Sequence, residues 1–351
     1  MHCIRQNRLL LQFHITGKCN LRCKHCYRTE GDVEPLTYED LVTVIEQYKS
    51  LQKAYNAHYG IKARGHINIT GGEPFFRKDI RQFLTYLGEN SQEFSYGILS
   101  NGSFITGEIT PLLRQTGISF VQLSLDGDRA IHDGLRAPGD YDRVLKTAQF
   151  LEQEGIRTYI SFTANRDNYR CLPLVARQCR KRKITKLWSD RIVPMGTGQQ
   201  LKELAITDDL LPEYVRTLKK AQGSFLTKLL HRKTQVTMNR ALQFRNSQGA
   251  MYSCSAGRSL ITVDEFGNIM PCRRMPILCG NISETTLEEV YFHHPTFCAL
   301  RKDLIPKECA LCPYKHKCKG GARCQSYALY GSFYRADPGC PIKQPHLRQR
   351  P

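Results

Sequence analysis

At 351 residues, 41% of them apolar, the chain is long enough for one barrel-sized core plus an appendage, and no apolar run approaches the roughly 20 residues of a membrane helix. Its 15 cysteines follow a start, Met1-His2-Cys3-Ile4-Arg5, without a secretory profile, which excludes a disulfide framework and predicts metal ligation in a reducing cytoplasm. Lys plus Arg total 51 against 32 Asp plus Glu, and an excess of +19 predicts an acidic partner: a peptide, a protein or nucleic acid.

The first predicted strand, Leu9–Thr16, delivers Cys19-Asn20-Leu21-Arg22-Cys23-Lys24-His25-Cys26-Tyr27 into a loop. Three thiolates so placed can bind three irons of a four-iron cluster and leave the fourth open to a ligand. A structural zinc site would want a fourth ligand, and His25 is wedged awkwardly beside Cys26 for that purpose. Thr37 and Asp40 form a capping-box start, after which Leu41, Val44, Ile45, Tyr48 and Leu51 recur at helical spacing. The second strand, His66–Thr70, runs into Gly71-Gly72-Glu73-Pro74, where residues without side chains let a backbone approach a ligand and Pro74 fixes the exit.

Ile80, Phe83, Leu84 and Leu87 mark the next helix, and the strand Phe94–Ser100 ends at Asn101-Gly102. The strand Ser119–Leu125 carries Ser124 and ends at Asp126-Gly127, with His132, Asp133 and Arg136 close behind. A helix on Val144, Leu145, Ala148 and Leu151 precedes the strands Thr158–Thr163 and Lys186–Val193, the last leading to Pro194-Met195-Gly196. This alternation predicts the α/β class: a partial (β/α)6 TIM-type barrel over 1–200, with its chemistry at the C-terminal ends of the strands. The basic run Arg177, Arg180, Lys181, Arg182, Lys183 and Lys186 is either an anion-binding stripe or a solvated helix face.

Beyond Gly198 the rhythm changes. Residues 201–253 are expected to be a helical connector with a boundary near 240–253, and 254–342 a loop-rich cysteine-cluster domain stabilised by metal. Residues 343–351 would be a basic tail. The second cysteine field holds Cys254, Cys272, Cys309-x2-Cys312-x5-Cys318, Cys324 and Cys340. Cys309-x2-Cys312 alone is a zinc-knuckle spacing, which in a basic chain would suit a nucleic-acid-binding module. Cys3, Cys171, Cys179 and Cys298 are expected to be ordinary buried thiols.

The Cys19–Tyr27 loop followed by Thr70–Pro74 resembles the signature of radical S-adenosylmethionine (SAM) enzymes. The field from Cys254 to Cys340, with the phrases Asp264–Cys272 and Gly280-Asn281-Ile282, resembles the SPASM domain that many peptide-modifying members carry. The resemblance implies that Cys19, Cys23 and Cys26 hold the catalytic cluster and that SAM lies against Tyr27, Thr70, Gly71, Gly72, Glu73 and Pro74. It further implies that Ser124 and Arg136 meet the SAM carboxylate. Cys309, Cys312, Cys318 and Cys340 would hold one auxiliary cluster, and Cys254 and Cys272 another. The sequence departs from the pattern at Ala322 and Leu260, where cysteines are usual. Cys324 could substitute, Cys279 could join as a ligand, or an iron there could stay open to a substrate thiolate.

The implied activity is reductive cleavage of SAM to a 5′-deoxyadenosyl radical that takes a hydrogen atom from a ribosomally made peptide or protein. A thioether or other crosslink is favoured, with epimerisation or oxidation as further products. Formylglycine formation is demoted, because Arg273 stands where those enzymes carry an aspartate base and Thr70 where they carry glutamine; Asp126, Glu265 and Asp337 are left as unranked bases. Expected partners are an acidic substrate, a donor such as ferredoxin or flavodoxin and, since the first strand starts so early, a separate leader-binding protein; neither nucleic acid nor a membrane is expected. The alternatives are a radical enzyme acting on a small cofactor precursor and a nucleic-acid-binding iron–sulfur or zinc protein.

Overall fold

The computed structural model describes residues 8–28, 31–231, 233–238, 254–302, 304–340 and 342. The boundary expected at 240–253, the tail 343–351 and Cys3 lie outside the described residues.

The expected strands form: β1 (Leu10–His14), β2 (Gly65–Thr70), β3 (Phe94–Leu99), β4 (Val121–Ser124), β5 (Thr158–Ala164) and β6 (Lys186–Arg191). All pair in parallel and in sequence order, as a barrel-type crossover fold requires. Helices α1 (Tyr38–Tyr59), α2 (Ile80–Glu89), α3 (Thr110–Gln115), α4 (Arg129–Leu135), α5 (Asp140–Gln153) and α6 (Leu172–Lys181) connect them. The capping box is present: Thr37 Oγ1 accepts from the Asp40 N–H, and the Asp40 side chain from the Thr37 N–H. The apolar stripe of α1 is buried, and Tyr48 at its centre donates to the Leu9 carbonyl at 2.8 Å, fixing the helix on the entry to β1.

The connector holds α7 (Leu211–Gln222) and α8 (Phe225–Leu230), then β7 (Gln235–Met238), which the sequence analysis did not foresee and which pairs in parallel with β6. The cysteine-rich part contributes β8 (Leu260–Val263), β9 (Asn268–Met270) and β10 (Gly280–Asn281), then α9 (Leu287–His293), α10 (Pro295–Arg301), α11 (Lys315–Cys318) and α12 (Arg323–Tyr330). β8 pairs in parallel with β1, so the sheet runs β10-β9-β8-β1-β2-β3-β4-β5-β6-β7. α9 lies on α1, with the rings of Tyr55 and Tyr291 5.8 Å apart and the Leu287 N–H on Gln47. One buried core runs from Leu9 to Phe297, so this part shares the barrel's core as well as having its own small cluster around Met275 and Leu300.

The basic run falls on α6 and the start of β6. Arg180 is spent on the Ala221 and Gln222 carbonyls at the end of α7, and Lys186 lies over the Tyr159 ring. Cys179 is fully buried, whereas Cys171 and Cys298 are only half-buried, a correction to the uniform burial expected of them. No helix among the described residues is long and apolar enough to cross a membrane.

Candidate functional site

The C-terminal ends of the strands open into a cavity of about 460 Å³. Alternate residues of the strands face it: Gln12 beside Asn68, and Gln122 and Ser124 near Ser161 and Thr163. Ser124 was an expected contact; the other polar positions, missed at the sequence level, recur with period two along the strands. That pattern marks a lined interior rather than a packed one. Cys19, Cys23 and Cys26 form part of the wall, with Tyr27, Thr70, Gly71, Gly72, Ser124 and Arg136. Of the candidate cofactor contacts, only Glu73 and Pro74 are off it.

Glu73 is wholly buried and braces the wall from behind. Its carboxylate accepts from the Phe75 N–H, the Ser100 hydroxyl and the Asn101 N–H, the last at 2.7 Å, tying the tip of β2 to the tip of β3. Burial pushes its pKa up to about 7 against the pull of those donors.

The cysteine loop is clamped at both ends. At its entry the Gly72 N–H donates to the Thr16 carbonyl at 2.7 Å and the Glu73 N–H to the Lys18 carbonyl at 2.8 Å. At its exit Gly198 donates to the Cys26 carbonyl at 2.9 Å and Thr197 to the Arg28 carbonyl at 3.1 Å. Both clamps need bare backbone: a Cβ on Gly72 would sit 2.1 Å from the Lys18 oxygen, and one on Gly196, at φ 61°, would sit 2.2 Å from the Tyr27 carbonyl. The first glycines thus make room for the chain's own loop. We expect Gly72→Ala to cost about 1–3 kcal/mol in overpacking and to lower the iron held after reconstitution by the share of one cluster; full iron with unchanged stability would refute the clamp.

Arg136 reaches into the loop. It donates to Asp126 Oδ2 at 2.7 Å and to the Cys23 sulfur at 3.7 Å, with His25 Nε2 3.3 Å away. Burial would raise the Asp126 pKa, but Arg136, His25, His132 and the Thr163 N–H outweigh it and bring the carboxyl down to about 2. Asp126 therefore stays ionised as an anchor for Arg136, which removes it from the unranked bases. His132 accepts from the Asp126 N–H at Nδ1 and sits 3.0 Å from Asp140 at Nε2, an arrangement that assigns its proton to Nε2. Burial lowers His25 to about 4 and raises Cys23 to about 11, so metal ligation must displace the thiol proton.

The opposite wall comes from the cysteine-rich part. Arg273 and Arg274 line the cavity with Arg28 and Arg191. Behind them stand acids: Arg191 makes a two-pronged pair with Asp337 at 2.6 and 3.0 Å, Arg274 pairs with Asp190, and Arg28 and Arg273 share Glu265. Asp337 is further occupied by the Ala322 and Gly339 N–H groups, and so is no free base. Glu265 is fully buried with Oε2 unpartnered. The face shown to the cavity is thus cationic, with six arginines and one carboxylate, Asp32, among its lining residues.

The remaining cysteines fall into two groups. Cys309 is buried enough to raise its thiol to about 12, with Cys340, Cys318 and Cys312 adding to the rise through their charge, so these four lie near one another. Cys324 is likewise raised by burial, opposed by Arg274, and its neighbouring thiols are Cys272 and Cys254. The structure therefore places Cys324 with that pair, while Cys279 donates to the Ile277 carbonyl within the main core. Cys254, Cys272 and Cys324 are not on the cavity wall; Arg273 and Arg274 are.

These donor sets fit iron–sulfur groups: soft thiols in threes and fours, the two sets of three with arginines beside them to offset the charge. Among the described residues no three His, Cys, Asp or Glu side chains close around one point as a single ion would require.

Residues 13–176 match the radical SAM superfamily and residues 254–318 the SPASM iron–sulfur cluster-binding domain. Among curated proteins the chain is 25% identical over 364 residues to the AdoMet-dependent heme synthase of Oleidesulfovibrio alaskensis, covering 96% of this chain and 88% of that one. It is 27% identical to the Fe-coproporphyrin III synthase of Methanosarcina barkeri (93% and 86% covered) and 26% to the mycofactocin maturase MftC of Mycolicibacterium smegmatis (95% and 82%). In fold it is similar to Streptococcus suis SuiB bound to S-adenosylmethionine, at TM-score 0.73 and 18% identity over 95% of this chain and 77% of that one. The same holds for anSMEcpe with bound AdoMet, at 0.73 and 17% over 95% and 94%. Members of the family are enzymes that cleave SAM reductively at a four-iron cluster, and the SPASM domain brings auxiliary clusters. The chain belongs to the radical SAM enzymes that carry a C-terminal SPASM domain.

Proposed function

We propose that this enzyme removes a hydrogen atom from a ribosomally made peptide or protein and so installs a modification on it. The observation that carries the reading is the cavity itself. Its near wall holds Cys19, Cys23 and Cys26 and its far wall Arg273 and Arg274, with space between of a size that suits a peptide segment or a small molecule. Bound there, the cluster and SAM supply the 5′-deoxyadenosyl radical. The chain's own residues do the rest. The glycine clamps seat the loop, Asp126 aims Arg136 at Cys23, and Ser124 and Arg136 offer a hydroxyl and a fork to the SAM carboxylate. The guanidinium-rich wall favours an acidic substrate. The relationship to MftC, named a maturase, supports the peptide reading.

A second reading, a small cofactor precursor as substrate, is supported by the relatives named heme and Fe-coproporphyrin III synthases. Because Cys254, Cys272 and Cys324 lie behind the arginines, nothing on the wall singles out thioether formation among the products.

The test is to incubate the reconstituted, reduced enzyme with SAM and, separately, any short peptide found encoded beside its gene and Fe-coproporphyrin III. A mass change in the peptide with matching 5′-deoxyadenosine supports the first reading; conversion of the porphyrin alone overturns it in favour of the second. Three clusters also predict about eight to twelve irons per chain, measured with acid-labile sulfide; four irons plus stoichiometric zinc would refute that assignment.

A further inference from the structure

Four thiols off the cavity wall sit under a distinctive patch of surface. Cys309, Cys312, Cys318 and Cys340 are all partly exposed rather than enclosed. Leu311, between the first two, is 80% exposed, and Tyr314, Tyr330 and Tyr334 are each more than 40% exposed. Around these stand Lys307, Lys315, His316, Lys317, Lys319 and Arg335. Three acids stand nearby: Glu308 is paired with Arg335, whose guanidinium also lies 4.8 Å over the Tyr330 ring, Asp337 is buried against Arg191, and Asp208 lies near Cys340 and Tyr330. The Glu308–Arg335 pair ties the α12 end of the chain to the Cys309–Cys312 turn, so the residues form one face. Lone exposed leucines need no explanation, but a leucine and tyrosines ringed by cations have the composition of a protein interface: an apolar centre with a charged rim.

We propose that this face docks an acidic one-electron carrier protein and that Leu311 and Lys317 are among its contacts. The inference uses the proposed role of the four cysteines as ligands of an iron–sulfur group, and is independent of the substrate. Cationic charge around a surface-near redox group raises the encounter rate with an anionic partner and sets its orientation. Small contact areas are ordinary for such transient redox encounters. One electron crosses here: a flavodoxin hydroquinone becomes the semiquinone as the group held by the four thiols is reduced by one electron, and the reverse traffic balances in the same way.

The experiment uses the reconstituted holoenzyme and a flavodoxin of strongly negative net charge as the probe. Its Kd should weaken at least tenfold between low and high salt. Lys307→Glu with Lys317→Glu should weaken it at least tenfold at low salt, and Leu311→Ser about threefold. Arg177→Glu with Lys181→Glu, on the basic run of α6, should leave it within twofold. Iron content and dithionite-driven SAM cleavage should be unchanged in all variants, which separates loss of docking from loss of the cluster or of the radical chemistry. Equal weakening by the α6 reversal, or unchanged binding in the Lys307/Lys317 variant with its iron intact, would overturn the proposal.

Discussion

Cys23→Ala should abolish 5′-deoxyadenosine formation, lowering it on the order of a thousandfold or more, because members of a catalytic unit fail together rather than additively. Cys23 occupies the middle of the clamped loop, between the Gly72 and Gly198 contacts, with the Arg136 Nη1 group donating to its sulfur. Removing it takes one of three thiolates from the group that must also leave one iron open, and among the described residues no spare thiol lines the cavity to replace it. The iron content should fall by about four per chain, while the auxiliary irons stay. Cys171→Ala, a half-buried thiol near Asp128 and off the cavity, should leave both measurements within twofold. Retained SAM cleavage in the Cys23 variant would refute the placement of the radical chemistry on this loop.

The barrel strands were legible because β1 to β6 are short apolar runs punctuated by Gly and Pro, with amphipathic helices of period 3.6 between them. The chemistry was legible because the cysteine loop and the Gly71-Gly72 turn are local in sequence. What was not legible depended on tertiary choice. β8 is four residues, Leu260–Val263, too short to declare its partner, and pairs with β1 across some 250 positions. For the same reason the sequence did not show that the cysteine-rich part, expected as a domain of its own, adds strands to the barrel's sheet. The sequence left Cys324 and Cys279 as alternatives beside Cys254 and Cys272, because the neighbourhood of Cys324 with that pair and Arg274 is made by tertiary packing. The burial of the Glu73 carboxylate, expected at the cofactor, was not legible because two of its three donors, Ser100 and Asn101, follow β3 far away in sequence.

Asp337→Asn should be the most destabilising single change away from the cysteines. Asp337 and Arg191 are both fully buried, and the carboxylate neutralises the guanidinium while accepting the Ala322 and Gly339 N–H groups. Asparagine keeps the shape but leaves a buried charge unpaired, which costs about 3–5 kcal/mol. Urea unfolding of the reconstituted enzyme checks this through the midpoint shift at unchanged slope. Glu154→Gln, which breaks the half-exposed pair with Arg114, should cost no more than about 1 kcal/mol. A paired replacement, Arg191→Met with Asp337→Asn, separates the two roles of Asp337. If the cost is mainly the stranded charge, the double variant regains most of the loss; if it is mainly the two N–H contacts, it regains none. Arg191 ends β6 and Asp337 lies just before Cys340, so this pair joins the last expected barrel strand to the four-cysteine group. Its loss should therefore also lower the iron held by that group while SAM cleavage at the Cys19–Cys26 loop persists. An Asp337→Asn enzyme as stable as the parent would mean that the cysteine-rich part is held to the barrel by its other ties, β8, α9 and the Arg274–Asp190 and Arg28–Glu265 pairs.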